Sequence, residues 1–120
     1  MADSDNVLTR LHDLMLYVVP VLAKFPRDQK FVLGDRIEIK LLDIQECCVR
    51  AYYSKDKRQY LADANMGIEV TRHLVRLAHD LKLLNTQRYG TIAEKLNDVG
   101  RMIGGWLKHA CGTERPETKG

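Results

Sequence analysis

An all-α fold, an antiparallel up-down-up-down four-helix bundle, follows from three observations on this sequence. Apolar residues recur at three/four spacing in four successive stretches. The breaks between those stretches are short, which favours antiparallel neighbours. No stretch alternates apolar and polar residues with the period of a strand. At 120 residues the chain forms one domain and buries a core without disulfide or metal staples.

The first helix is expected over about residues 5–24. Leu8, Leu11, Leu14, Val18, Leu22 and Phe25 share one face, and Asp3, Ser4 and Asp5 are N-cap candidates. Pro20 removes one backbone donor inside this pattern, so a kinked helix is expected in place of two, and Pro26 ends it. The second helix, residues 28–53, aligns Leu33, Ile37, Leu41, Ile44, Cys48 and Ala51. Gly34 costs helix propensity there and predicts a close approach by a neighbouring helix. The polar run Ser54–Arg58 makes the turn, with Lys55, Lys57 and Arg58 read as solvated.

The third helix is expected over residues 56–84, stopping at Asn85. It is apolar on two sides: Gly67, Val70, Leu74, Leu77, Leu81 and Leu84 form one flank, and Ile68, Thr71, Val75 and Ala78 the other. So wide an apolar surface predicts burial of both flanks, in the bundle or partly against another subunit. The polar stripe left between them holds Glu69, Arg72, Arg76, His79 and Asp80, with His73 at its edge. The fourth helix, residues 86–111, is capped by Thr86 or by the Thr91–Glu94 capping box. Its stripe is Ile92, Leu96, Val99, Ile103, Trp106 and Ala110, and Gly100 with Gly104 predicts a close helix crossing beside Trp106. Residues 112–120 carry no large apolar side chain and are expected to be disordered.

Composition narrows the classes of function. A chain 45% hydrophobic and 29% charged is that of an ordinary soluble domain. The acidic start MADSDN has no basic n-region or apolar h-region, and no apolar run approaches the roughly 20 residues that span a bilayer, so a cytoplasmic protein is expected. Cys47, Cys48 and Cys111 read as reduced core thiols. The net charge of +3 is concentrated late: Met1–Tyr53 holds seven basic and eight acidic residues, Ser54–Gly120 twelve and eight. That bias is compatible with a polyanion partner.

Catalytic and metal templates fail. His12, His73, His79 and His109 form no H-E-x-x-H pair and no E-x-x-H motif of a di-metal bundle. There is no phosphate loop, dinucleotide fingerprint or nucleophile elbow. No enzyme activity, cofactor, metal or small-molecule substrate is expected. Tyr52, Tyr53, Tyr60 and Tyr89 read as core caps with wet hydroxyls in preference to platforms for bases beside Arg50 and Arg58, and Met15, Met66 and Met102 as core filler.

Arg72 and Arg76 stand apart, one turn apart on an otherwise apolar helix. Glu69 and Asp80 lie within i±3 or i±4 reach, so one reading is intrahelical salt bridging on a solvated stripe. The other is a guanidinium row aimed at phosphates or at an acidic partner.

The stretch Lys24–Ile37, KFPRDQKFVLGDRI, resembles the signature of the four helix bundle protein family. That family contains the accessory variability determinant (Avd) proteins of diversity-generating retroelements and the proteins encoded in bacterial ribosomal-RNA intervening sequences. The resemblance continues through Gly67–Leu84 and through Val99–Lys108, VGRMIGGWLK, and the run G-R-M-I-G-G-W-L leans to the retroelement branch. It implies a homopentameric barrel of bundles that binds nucleic acid and associates with the retroelement's reverse transcriptase, itself not the polymerase. Basic residues of the third helix are implicated in those contacts, which here are Arg72 and Arg76, with His73 at a position that is often aromatic. The intervening-sequence branch implies instead a structural or interaction bundle with no nucleic-acid binding of its own.

Overall fold

The computed structural model describes the backbone of residues 2–112 and the side chains of residues 7–112. Four long helices and one short one hold nearly all of these residues, and none of them lies in a strand. They are α1 (Ala2–Leu22), the single turn α2 (Arg27–Gln29), α3 (Asp35–Tyr52), α4 (Arg58–Asp80) and α5 (Thr86–Gly112). Each long helix packs on two others: α1 on α3 and α5, and α4 on α3 and α5. One core therefore runs down the middle of a body measuring 54 × 23 × 21 Å.

The predicted stripes are the core. Leu11, Leu14 and Val18 of α1, Ile37, Leu41 and Ile44 of α3, and Ile92, Leu96 and Ile103 of α5 are all fully buried. Each such side chain contributes roughly 1.5–3 kcal/mol relative to exposure. Thr71, the buried polar residue of α4, satisfies its hydroxyl by donating to the Gly67 carbonyl at 2.8 Å.

Helix ends differ from the sequence expectation where capping chemistry outweighs periodicity. α1 starts at Ala2, so Asp3, Ser4 and Asp5 fall inside it, and it remains one helix through Pro20, ending at Leu22. Between α2 and α3 the residues Lys30–Gly34 form a π turn, closed by the Asp35 N–H donating to the Lys30 carbonyl. The predicted face is kept across it: Leu33 is buried in line with Ile37 and Leu41, with Gly34 buried beside it, while Phe31 and Val32 are exposed. Gly34 packs under the ring of Phe25, 3.5 Å from where its side chain would begin, and the carbonyl of Leu22 at the end of α1 comes within 3.7 Å of the same point, the close approach expected of this glycine.

α4 ends at Asp80, four residues before the predicted Leu84. The Lys82 N–H donates to the His79 carbonyl and the Leu83 N–H to the Ala78 carbonyl, both at 2.9 Å. With Lys82 at φ 67°, this is a Schellman motif that turns the chain sharply. Asn85 is then the N-cap of α5, its Oδ1 accepting from the Arg88 N–H at 2.8 Å. Thr91 lies inside the helix, bonded back to the Gln87 carbonyl. Lys57 is likewise no solvated turn residue. Its Nζ donates to the carbonyls of Ala51 at 2.9 Å and Ser54 at 2.6 Å, closing the end of α3.

The close crossings are also distributed differently from the prediction. Gly67 carries the α3–α4 contact, because a methyl group there would meet Ile44 Cγ1 at 2.7 Å. Gly100 lies against Arg72 and Ile68 of α4, whereas Gly104 faces open space. Of the two α4 flanks, Ile68, Thr71, Val75 and Ala78 are buried, but Leu77 and Leu81 on the other remain 47% and 49% exposed. Met66 is exposed and not core filler. Cys48 alone of the three thiols is in the core, Cys47 and Cys111 being half-buried. The expected disorder of residues 112–120 lies outside the described residues except at Gly112, which is helical.

Candidate functional site

The polar stripe of α4 does not act as one row. Arg72 turns toward α5, where its Nη1 donates to the Asn97 side-chain oxygen and its Nη2 lies over Gly100. Its Nε is 3.3 Å from Glu69 Oε2, close enough for an ion pair, yet the alignment is poor and this buried nitrogen makes no hydrogen bond. The Arg72 side chain is only 36% exposed. It is a clasp between α4 and α5 as much as a surface charge.

Arg76, one turn on, is 71% exposed, and its contact with Asp80 is long, 3.9 Å from Nε to Oδ2. A surface ion pair of that length contributes little to stability, within about 0–1 kcal/mol. Arg76 is thus a cation presented to solvent. His73 is exposed on the adjacent face. The salt-bridge reading of the stripe therefore fits Arg72 better than Arg76, and the two arginines share a side of α4 with different degrees of freedom.

His79 is drawn out of the stripe altogether. Its ring stacks on Tyr89 of α5, with centroids 4.4 Å apart and an interplanar angle of 18°. Tyr89 is therefore a packing partner across the α4–α5 seam, beyond the core cap expected from its sequence position. Along this seam Arg72, Val75, Tyr89, Ala93, Leu96 and Asn97 line a cavity of about 240 Å³.

Asn97 was not legible as a site residue, because a lone asparagine mid-helix carries no motif. Gly100 was legible as a contact, but not that a guanidinium would occupy the space. Further along α5, Arg101 pairs with Asp98, and Arg10 of α1 approaches the same carboxylate at 3.9 Å. Lys95 sits over the Tyr17 ring, 5.6 Å from its centroid.

A second groove, about 410 Å³, opens on the α3–α4 seam beside Cys47, with Asp43, Glu46, Asp63, Lys40 and Arg50 around it. Burial, then the neighbouring Asp63, Asp43 and Glu46 carboxylates, push the Cys47 thiol above its ordinary value, against the activation a nucleophile needs. Among the described residues no three His, Cys, Asp or Glu side chains gather in a way that could hold a metal ion. No helix among them is long and apolar enough to cross a membrane.

Comparison with known proteins agrees with the resemblance carried by the Lys24–Ile37 and Val99–Lys108 motifs. No curated protein matches the chain. A family model described as bAvd-like matches residues 7–110, which takes in all of α3 and α4 and most of α1 and α5. The chain accordingly belongs to the bAvd-like family, of the Avd type of four-helix bundle protein.

Proposed function

We propose that this chain is the non-catalytic accessory subunit of a diversity-generating retroelement, working in the cytoplasm. The observation that carries the reading is the bAvd-like match over residues 7–110. In this reading the subunit binds template RNA or its cDNA through phosphates and docks the reverse transcriptase, supporting mutagenic retrohoming. Arg76 and His73 supply exposed polar contacts, and Arg72 adds those guanidinium donors not engaged by Asn97. Contacts of this kind position a strand without reading its sequence.

Self-association into a ring, a pentamer by the family resemblance, belongs to the same proposal. Its support is the outer face of α3, where Ile39, Leu42, Val49 and the adjoining Tyr53 recur at three/four-type spacing and are all exposed. The up-down-up-down order is supported by the short connections before α4 and before α5, each joining helices that pack on one another.

The test is charge reversal in the full chain. An Arg72→Glu/Arg76→Glu double variant is expected to lose association with RNA and with the reverse transcriptase while helicity and assembly size stay unchanged. Arg76→Glu alone separates binding from packing, because Arg76 does not bridge to α5. Wild-type affinity should fall steeply with added salt. Binding by the double variant at moderate salt would show the assignment to be wrong. The α3 stripe also favours a second reading, a structural bundle that assembles without nucleic acid, and that reading predicts no RNA binding even at low salt.

A further inference from the structure

We propose that the cavity between α4 and α5 takes one unstacked nucleobase of a bound single strand, seated between the Tyr89 ring and the Arg72–Asn97 pair. This rests on the nucleic-acid reading above and assigns it a site that phosphate contacts alone do not require. At about 240 Å³ the cavity is below the roughly 300–1,000 Å³ of pockets for drug-sized ligands. It is several times the ~30 Å³ share of a single water. One planar ring system is the ligand of that scale.

The lining offers a base both a ring to stack on and polar groups for its edge. Tyr89 and Ala93, both half-buried, supply the cavity's accessible apolar wall, and Val75 and Leu96 lie almost fully buried at its edge. The Arg72 guanidinium would serve an anion as well, but only a base also gains stacking on the Tyr89 ring. Tyr89 lines this cavity, and its stacking partner His79 lines the separate one at the α4–α5 turn. The stacking holds the Tyr89 ring in place. A pre-ordered ring loses little conformational freedom on binding.

The edge of the base would meet donors. The Asn97 oxygen is already engaged by Arg72 Nη1, which leaves the Asn97 amide N–H groups and the remaining guanidinium N–H groups. Donors alone select base edges bearing acceptors, such as the O2 and O4 of a pyrimidine or the O6 and N7 of guanine. Arg72 Nε is buried beside Glu69, so it is the terminal guanidinium nitrogens that remain for the base.

The experiment compares two probes with the full chain: an oligothymidylate, and a strand of equal length and charge in which every sugar is abasic. Wild type should prefer the intact strand by about tenfold or more, the scale of one stacked base. Tyr89→Ala should bring the ratio close to one while leaving the affinity for the abasic strand unchanged, and Tyr89→Phe should retain the preference. Ala93→Leu, which fills the cavity and keeps a good helix former, should also abolish it and serves if Tyr89→Ala folds poorly. Equal binding of both strands by wild type overturns the base site and leaves the phosphate reading standing. Binding of neither overturns both. A preference that survives Tyr89→Ala and Ala93→Leu overturns the location.

Discussion

The guanidinium of Arg72 occupies the space a side chain at position 100 would take: a methyl group on Gly100 would come within 2.8 Å of Arg72 Nη2. Gly100→Ala therefore pushes aside the end of a flexible arginine, with Ile68 Cγ2 at 3.3 Å giving slightly. Helix propensity gains about 1 kcal/mol from the exchange. Loss of the Arg72–Asn97 hydrogen bond costs a similar amount, about 0.5–1.5 kcal/mol. The expected result is a denaturation midpoint little changed and a weakened affinity for single-stranded nucleic acid, measured on the same preparation. A variant that binds as wild type would separate the clasp from the function.

Gly67→Ala should behave in the opposite way. The atom in its path is Ile44 Cγ1, inside the core and unable to swing clear, so overpacking costs about 1–3 kcal/mol. Gly104→Ala, with nothing within 4 Å, should instead stabilise by up to about 1 kcal/mol. Urea melts of the two variants, compared at equal chain concentration, test both signs together.

The turn between α4 and α5 is set by two caps that can be altered separately. Lys82 adopts a left-handed conformation that costs a side chain roughly 1–2 kcal/mol, so Lys82→Gly should raise stability, by about 1 kcal/mol after the entropy of the glycine is counted. Asn85→Ala removes the acceptor for the Arg88 N–H and should lower stability by about 1 kcal/mol. Thermal melting of each single variant reads the two effects.

Cys48 supplies a pH dependence. Burial pushes its thiol up from 9.0 to about 12, with a smaller contribution from Cys47. The folded state keeps the proton over a range in which the unfolded chain releases it, so the unfolded state binds fewer protons and stability falls as pH rises between about 9 and 12. Below pH 9 the full contribution is present. Melting temperature followed from pH 8 to 11 should therefore decline more in wild type than in Cys48→Ala, and a thiol reagent should modify Cys48 only as fast as the chain unfolds.

The four buried stripes were legible because side-chain burial in a helix follows a fixed angular period, and Ile37, Leu41, Ile44 and Cys48 needed nothing more. Helix ends were less legible. The Schellman turn at Lys82 uses a lysine where glycine is usual, so no glycine signal marked it, and Asn85, read as the stop of the third helix, instead caps the next one. The π turn at Lys30–Gly34 left no trace in the apolar pattern.

For the candidate site, the residue types on α4 were determined by the sequence, and so was the family, through motifs that span the chain. Only the tertiary structure decided that Arg72 crosses to Asn97 over Gly100, that Arg76 stays in solvent, and that His79 leaves the stripe to stack on Tyr89. Periodicity states which side of its own helix a residue faces. What stands on the neighbouring helix at that height depends on how two helices slide and rotate against each other, and that is set by the whole core at once.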